Sequence, residues 1–411
     1  SVSRQGFRQS RREAVRLEVN QVARLDFAME VGAVSETVEV TGAAPLIESD
    51  TSSIGQVIEQ VLGMVGGRPS KARRVVLRNN GIRQRHYALD RHTGQATMTN
   101  AQMAARAVQA LGSLETVDLL AAATSCPDQL MPGHGVMVHG ELGWPHLEVV
   151  SLAGICVAGM AAFKHAWLSV KAGEARHAVA VASELASMGL HARNFDSEVE
   201  NKVQELESRP ELAFEKDFLR WMLSDGAGAT LLQDRPGTGL SLRVDWVELS
   251  SAAHELPACM YCGADKADDQ GLVGWQQFNH QERATRSIFS VKQDVRLLND
   301  HVVRSTLQEP LRALMAKRQL GQRRIDWFLP HMSSNYFARP IEAALAELGL
   351  DIPRERWFTN LAEKGNTGSA SPFIMLDELF RSGRIQRGDT LLLFVPESGR
   401  FSSAFVFMEA V

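Results

Sequence analysis

Three side chains in well-separated segments have the types and settings that covalent catalysis uses. Cys156 stands in Leu152-Ala-Gly-Ile-Cys-Val-Ala-Gly-Met160, His331 in Trp327-Phe-Leu-Pro-His-Met-Ser-Ser-Asn335, and Asn366 in Glu363-Lys-Gly-Asn-Thr-Gly-Ser-Ala-Ser371. The cysteine falls between a strand-like run and the start of a helix, where backbone N–H groups and the helix macrodipole are expected to lower a thiol's pKa and favour the thiolate. A thiolate is a good nucleophile, and its thioester remains an activated acyl donor. Gly154 and Gly159 allow a tight turn and close backbone approach. Taken singly, Cys156 fits an inert buried thiol, His331 a satisfied histidine at a strand end and Asn366 a loop or cap residue. Their order beside one another favours a Cys, His, Asn set. A papain-like protease uses the same triple, but the leader around its cysteine is missing here and duplicated α/β halves do not suit that fold.

The elements that must hold these residues alternate between helices and short apolar strands from about residue 70 onward, the pattern of an α/β layer fold. Helix-like 100–111 leads to strand-like 117–124; strand-like 147–151 leads to helix-like 157–171 and strand-like 178–183. The scheme then repeats. An amphipathic stretch over 293–320 precedes strand-like 325–330, helix-like 367–381 precedes 390–395, and 403–408 closes the series. Cys156 to Gly173 and Asn366 to Gly383 span equal lengths, each a helix expected to end at a glycine suited to the left-handed cap. Internal duplication explains the match, and a pseudo-twofold axis would bring the starts of the two helices, with Cys156 and Asn366, into one cleft.

Six segments in order, 80-Asn-Gly-Ile-Arg-Gln-Arg-His-86, Gly154-Ile-Cys-Val-Ala-Gly159, Ser224-Asp-Gly-Ala-Gly-Ala229, Pro330-His331, Gly365-Asn-Thr-Gly-Ser-Ala-Ser371 and Ser398-Gly-Arg-Phe401, resemble the β-ketoacyl-[acyl carrier protein] synthase III branch of the thiolase superfamily over residues ~70–411. The resemblance implies a duplicated, five-layered α/β/α/β/α thiolase-type fold. It implies that Cys156 takes an acyl group from a thioester while His331 and Asn366 serve a malonyl-type or β-ketoacyl extender. Decarboxylation puts negative charge on the extender's carbonyl oxygen, which donors from His331 Nε2 and the Asn366 amide would stabilise; the carbanion then attacks the acyl group by Claisen chemistry. The tetrahedral oxyanion would be held by the N–H groups of Cys156 and Gly399, although the usual glycine run is reduced here to Ser398-Gly-Arg400. No bound cofactor is implied, only coenzyme A or an acyl carrier protein phosphopantetheine as acyl carrier, with a homodimer as the expected assembly. Arg83 and Arg85 are candidate contacts for the carrier's phosphates, and Glu184 is a secondary candidate base. The loop over 124–135 looks more like that of secondary-metabolite members than of housekeeping fatty-acid initiators. An acyltransferase passing the acyl group to oxygen or nitrogen without decarboxylation is the reading closest to condensation.

Other motifs are weaker. Ser224 to Thr230 lacks the Lys-Ser/Thr of a phosphate loop and leads into a strand, so tight packing is expected. His134, His139 and His146 share a loop without a metal-ligand spacing, and Cys259-Met-Tyr-Cys262 has no second pair to complete a zinc site; no metal is expected.

The chain has 411 residues, 45% hydrophobic and 22% charged, with a formal charge of -4. That balance suits an ordinary soluble globular protein and gives no pull toward nucleic acid or anionic membrane. Four cysteines are too few for a disulfide framework and fit a reducing, cytoplasmic setting. The uncharged run 149–163 is shorter than the ~18 residues of a membrane span, and no secretory signal is visible. Residues 1 to about 60 alternate apolar and polar with period two, as in Val15–Val19, Ala23–Phe27 and Glu36–Val40. They resemble the small β-sandwich before the plug of TonB-dependent receptors, which supports a receptor-associated binding module for that stretch alone. The expected organisation is an atypical β-rich leader over 1–36, an N-terminal half over 37–235 and a C-terminal half over 236–411. Thr37 to Val40 could serve as first strand of the main domain, before a helix over 54–65.

Overall fold

The computed structural model describes residues 10–11, 38–39, 64–65, 68–69, 73–90, 93–112, 114, 116–191, 194 and 219–411. The chain divides into two units, Ser1–Glu59 and Gln60–Val411. In the first, Ser10–Arg11 pairs in parallel with Val38–Glu39; strands expected over 15–19 and 23–27 lie outside the described residues. The division falls at Glu59/Gln60 and not at 36/37, and Val38–Glu39 finds its partner in Ser10–Arg11 instead of opening a large sheet. Most of the helix expected over 54–65 lies outside the described residues, and its last two positions, Met64–Val65, are instead a strand paired antiparallel with Arg68–Pro69. The adjacent Gly66-Gly67 in the sequence disfavours helix propagation.

The second unit is built on two mixed four-stranded sheets, the first with two parallel pairs and one antiparallel, the second with one parallel pair and two antiparallel. In the first sheet the order is Glu148–Ala153, Leu119–Thr124, His177–Glu184, Gly226–Gln233, with the last pair antiparallel and the others parallel. In the second it is Trp327–Pro330, Thr390–Glu397, Ser402–Ala410, Leu242–Ser251, again starting parallel and ending antiparallel. Each sheet has a helix, Cys156–Ala172 or Ser371–Arg381, leading into the strand that begins the antiparallel pairing. These are the two halves of the duplication.

Why the layers form is plain in Leu119–Thr124, an unbroken apolar run buried on both faces. Its side chains alternate: Leu119, Ala121 and Ala123 enter the core with Cys156–Ala172 and the second sheet, while Leu120 and Ala122 face Ala101, Ala104, Ala105 and Val108 of the outer helix Asn100–Gln109. The helices Cys156–Ala172 and Ser371–Arg381 contact both sheets and form the middle layer, Asn100–Gln109 and His134–Leu142 cover the first sheet, and the segment 295–318 covers the second. This is the α/β/α/β/α order. Among the described residues no helix is long and apolar enough to cross a membrane.

Two local departures have physical causes. The long helix expected over 293–320 is Val295–Val303, a π turn over Arg304–Gln308, and Glu309–Arg318. Pro310 supplies no N–H and its ring would press on the carbonyl four residues back, so the ladder shifts register there. The glycine caps also differ. Gly173 (φ 81) caps its helix directly, whereas Ser371–Arg381 is capped by Ser382 with Gly383 (φ 71) just beyond. Asn366 is therefore not the first residue of a helix as Cys156 is; a 3₁₀ turn, Gly368–Ala370, intervenes.

Candidate active site

Cys156, His331 and Asn366 line one cavity of about 660 Å³ whose walls are mainly apolar. Cys156 is the first residue of its helix, reached from strand Glu148–Ala153 through Gly154 and Ile155. Its thiol is buried, and the electrostatics reverse the expectation of an activated sulfur: burial, then Glu397, then Glu184 push its pKa well up, against a smaller lowering by its own N–H. The helix terminus is not free to act on the sulfur alone. Glu397 Oε2 accepts from Ile155 N (3.2 Å) and Val157 N (2.9 Å), placing a carboxylate on the amides either side of the cysteine.

His331 follows strand Trp327–Pro330, and its N–H donates to the Phe394 carbonyl at 2.8 Å, continuing the pairing of that strand with Thr390–Glu397. Burial drops its pKa to about 4, so at neutral pH the ring is uncharged and carries one N–H. Asn366 is held by its backbone, donating to Met222 O (2.9 Å) and accepting from Ser224 N (2.8 Å). Its Oδ1 accepts from Gly368 N at 3.0 Å. With the oxygen so engaged, the amide orientation leaves Nδ2 without a partner among the described residues. The site thus offers a thiol, a neutral imidazole and a free carboxamide donor.

The motifs around these residues prove to be their supports. Asn80 Nδ2 donates to Trp221 O, and the N–H groups of Arg83 and Gln84 both reach Ala362 O, strapping the segment before Asn366 in place. Gly226 and Gly228 begin a strand, as expected, and pack so closely that a Cβ on Gly228 would lie 2.6 Å from Phe373 Cβ. Ser224 to Thr230 is a packing element and not a phosphate cradle.

The remaining candidates fare unevenly. Gly399 lies against the nucleophile turn, where a Cβ would stand 2.8 Å from Ile155 Cδ1, yet Ser398 and Pro396, not Gly399, are among the cavity's lining residues. Arg85 is a correction: it is buried, with Nη1 on Trp221 O and Nε on the Tyr87 hydroxyl, so it cannot present its fork to an incoming phosphate. Arg83 is exposed and paired with Glu363; neither arginine lines the cavity. Glu184 does line it, but as the hub of a web. It accepts from Ser125 N (3.1 Å), Ser125 Oγ (2.5 Å), Cys126 Sγ (3.1 Å), Ser369 N (3.1 Å) and Ser369 Oγ. A carboxylate so saturated ties the loop over 125–126 to the Asn366 segment.

His134 is buried against Ser183 Oγ (3.1 Å) and His139 bonds the Trp144 carbonyl, and no metal-binding group of residues exists among the described residues. All four cysteines are free. Cys259 bonds the Asp294 carbonyl, and Cys262 faces the cavity. Sequence reasoning missed Glu397 and Cys126. Glu397 differs from an ordinary strand-end acid only by its place two residues before Gly399, a signal with no meaning until the turn is folded.

Residues 315–407 match the family described as 3-oxoacyl-[acyl-carrier-protein (ACP)] synthase III C terminal. Among curated relatives, the β-ketoacyl-[acyl-carrier-protein] synthase III of Rhizorhabdus wittichii is 27% identical over 320 residues, covering 77% of this chain and 85% of that protein. The enzyme of the same name from Acidiphilium cryptum is 29% identical over 315 residues, covering 76% and 83%. Among solved structures, AbyA1, a tetronic acid condensing enzyme, superposes with a TM-score of 0.65 at 20% identity, covering 88% of this chain and 95% of that one. The 3-oxoacyl-(acyl carrier protein) synthase III of Pseudomonas aeruginosa PAO1 gives 0.60 at 21%, covering 85% and 92%. The structural likenesses bear on the fold.

Proposed function

We propose that the chain is a condensing enzyme akin to the β-ketoacyl-[acyl carrier protein] synthases III it resembles, in which Cys156 takes an acyl group from acyl-coenzyme A or an acyl carrier protein and this group is then joined to a malonyl-type or β-ketoacyl thioester. Loading forms the Cys156 thioester and releases the carrier's thiol, so one difficult condensation becomes two easier steps. Decarboxylation of the extender leaves an enolate whose oxygen needs donors that are in place before the charge develops. The neutral N–H of His331 and the Asn366 Nδ2 group are such donors. The carbanion attacks the acyl carbon, and the oxyanion of that adduct is assigned to the N–H groups of Cys156 and Gly399.

The observation that carries this reading is the tether from Gly368 N to Asn366 Oδ1, in the cavity that His331 and Cys156 share. It leaves the amide nitrogen free to donate to a substrate oxygen, which supports this reading. The apolar lining suits an acyl chain, and the product would enter fatty-acid or secondary-metabolite lipid synthesis, in a homodimer acting in the cytoplasm. Incubation with acyl-coenzyme A and with acyl carrier protein, followed by peptide mapping, tests the loading step. Acyl label on Cys156 that is discharged as a longer β-keto product on adding a malonyl donor is the expected result. Absence of label from both donors overturns the enzyme reading, and discharge to an alcohol or amine without loss of carbon dioxide replaces condensation by plain acyl transfer.

A further inference from the structure

We propose that Glu397 is a positioning residue that holds Cys156 as a neutral thiol. The inference deepens the reading above, in that Cys156 is taken as the reacting sulfur. Glu397 ends strand Thr390–Glu397 in the second half of the duplication, yet its Oε2 accepts from the N–H groups of Ile155 and Val157 in the first half. Oε1 has no hydrogen-bond partner among the described residues. It lies on the side of Gly399, where a Cβ would stand 3.2 Å from it.

A helix N-terminus presents roughly half a positive charge, the device by which many enzymes lower a cysteine's pKa. Here a carboxyl group occupies that end and takes up the amides that flank the sulfur; burial raises its own pKa, against a lowering by the Val157 and Ile155 N–H groups. The groups facing Cys156 from the other elements do not restore the balance. Glu184, at the end of strand His177–Glu184, is a second carboxylate with its bonds committed to Ser125, Cys126 and Ser369. His331, after strand Trp327–Pro330, is held neutral by burial. Among the described residues that line the cavity there is no Lys or Arg. A thiolate would therefore face two carboxylates and no cation, and the sulfur resists adventitious alkylation and oxidation, both of which need the thiolate.

The test is the pH dependence of iodoacetamide alkylation at Cys156 in the full chain, read by peptide mass mapping so that Cys126, Cys259 and Cys262 are scored apart. In the unaltered protein the midpoint is expected above that of a free cysteine, about 8.5; a midpoint at or below that value overturns the proposal without any variant. Glu397→Gln keeps an acceptor for the helix amides but removes the charge. It is expected to raise the alkylation rate at pH 7.5 about tenfold, the consequence of a one-unit fall in the thiol's pKa. An unchanged or slower rate overturns the proposal, as does a larger acceleration from Glu184→Gln than from Glu397→Gln. Alkylation needs no acyl donor, so an enzyme that never loads an acyl group would refute the proposed function and leave this result standing.

Discussion

Gly159 and Ser369 meet backbone to backbone: a Cβ on the glycine would lie 2.2 Å from the serine carbonyl oxygen. This contact joins the nucleophile helix of one half to the turn that carries Asn366 in the other. Gly159→Ala is expected to cost on the order of 3 kcal/mol, because the obstacle is main chain that cannot swing aside. A urea titration monitors the loss. Mapping Cys156 alkylation at intermediate urea shows whether the sulfur is uncovered in the same transition.

Asn366 is expected to act after loading. Asn366→Ala removes the Nδ2 donor and should slow condensation by about 10²–10³-fold, the usual effect of losing one donor to a developing oxyanion, while acylation of Cys156 continues. The check is the acyl-enzyme mass, which should persist when malonyl donor is added to the variant. Loss of loading and condensation together would place Asn366 in support of the fold instead.

Glu184 separates two roles by its replacements. As the hub of a hydrogen-bond web, it should tolerate Glu184→Gln with turnover reduced by less than about tenfold. Glu184→Ala, which strands the Ser125 and Ser369 N–H groups, should lose about 1–3 kcal/mol for each buried donor left unpaired. A base would show the reverse: Glu184→Gln would fold normally and lose about 10²–10⁴ in rate. Thermal melts beside turnover distinguish them.

Acid sensitivity follows from two buried histidines. His134 and His331 both have pKa values dropped to about 4 by burial, against an ordinary 6.5. Their folded forms favour neutrality, so the stability they contribute is complete above pH 6.5 and is lost as pH falls toward 4. Between pH 7 and 5 each should cost about 2 kcal/mol. Asp225, raised to about 6 by burial, works the other way; its contribution is complete below pH 3.8 and lost as pH rises through 6, so it offsets about 1 kcal/mol over the same interval. Urea midpoints at pH 7 and 5 should therefore fall on acidification, and the fall should be smaller in His134→Gln.

The order of helices and strands from residue 100 onward follows from periodicity, since a run such as Leu119–Thr124 has no polar face to offer solvent. The duplication, and the expectation that Cys156, His331 and Asn366 share one cleft, could likewise be drawn from the chain, because Cys156 and His331 follow apolar strands and Asn366 precedes the matching helix of the second half; all three line one cavity. What lay outside the sequence's reach was electrostatic. Arg85 looked available for phosphate and is buried on Trp221; Cys156 looked activated, yet burial and then Glu397, a residue 241 positions away, push its pKa up. Local pattern depends on neighbours along the chain, whereas the charge at a point depends on neighbours in space. Only the packing of one half against the other decides which carboxylate reaches the sulfur.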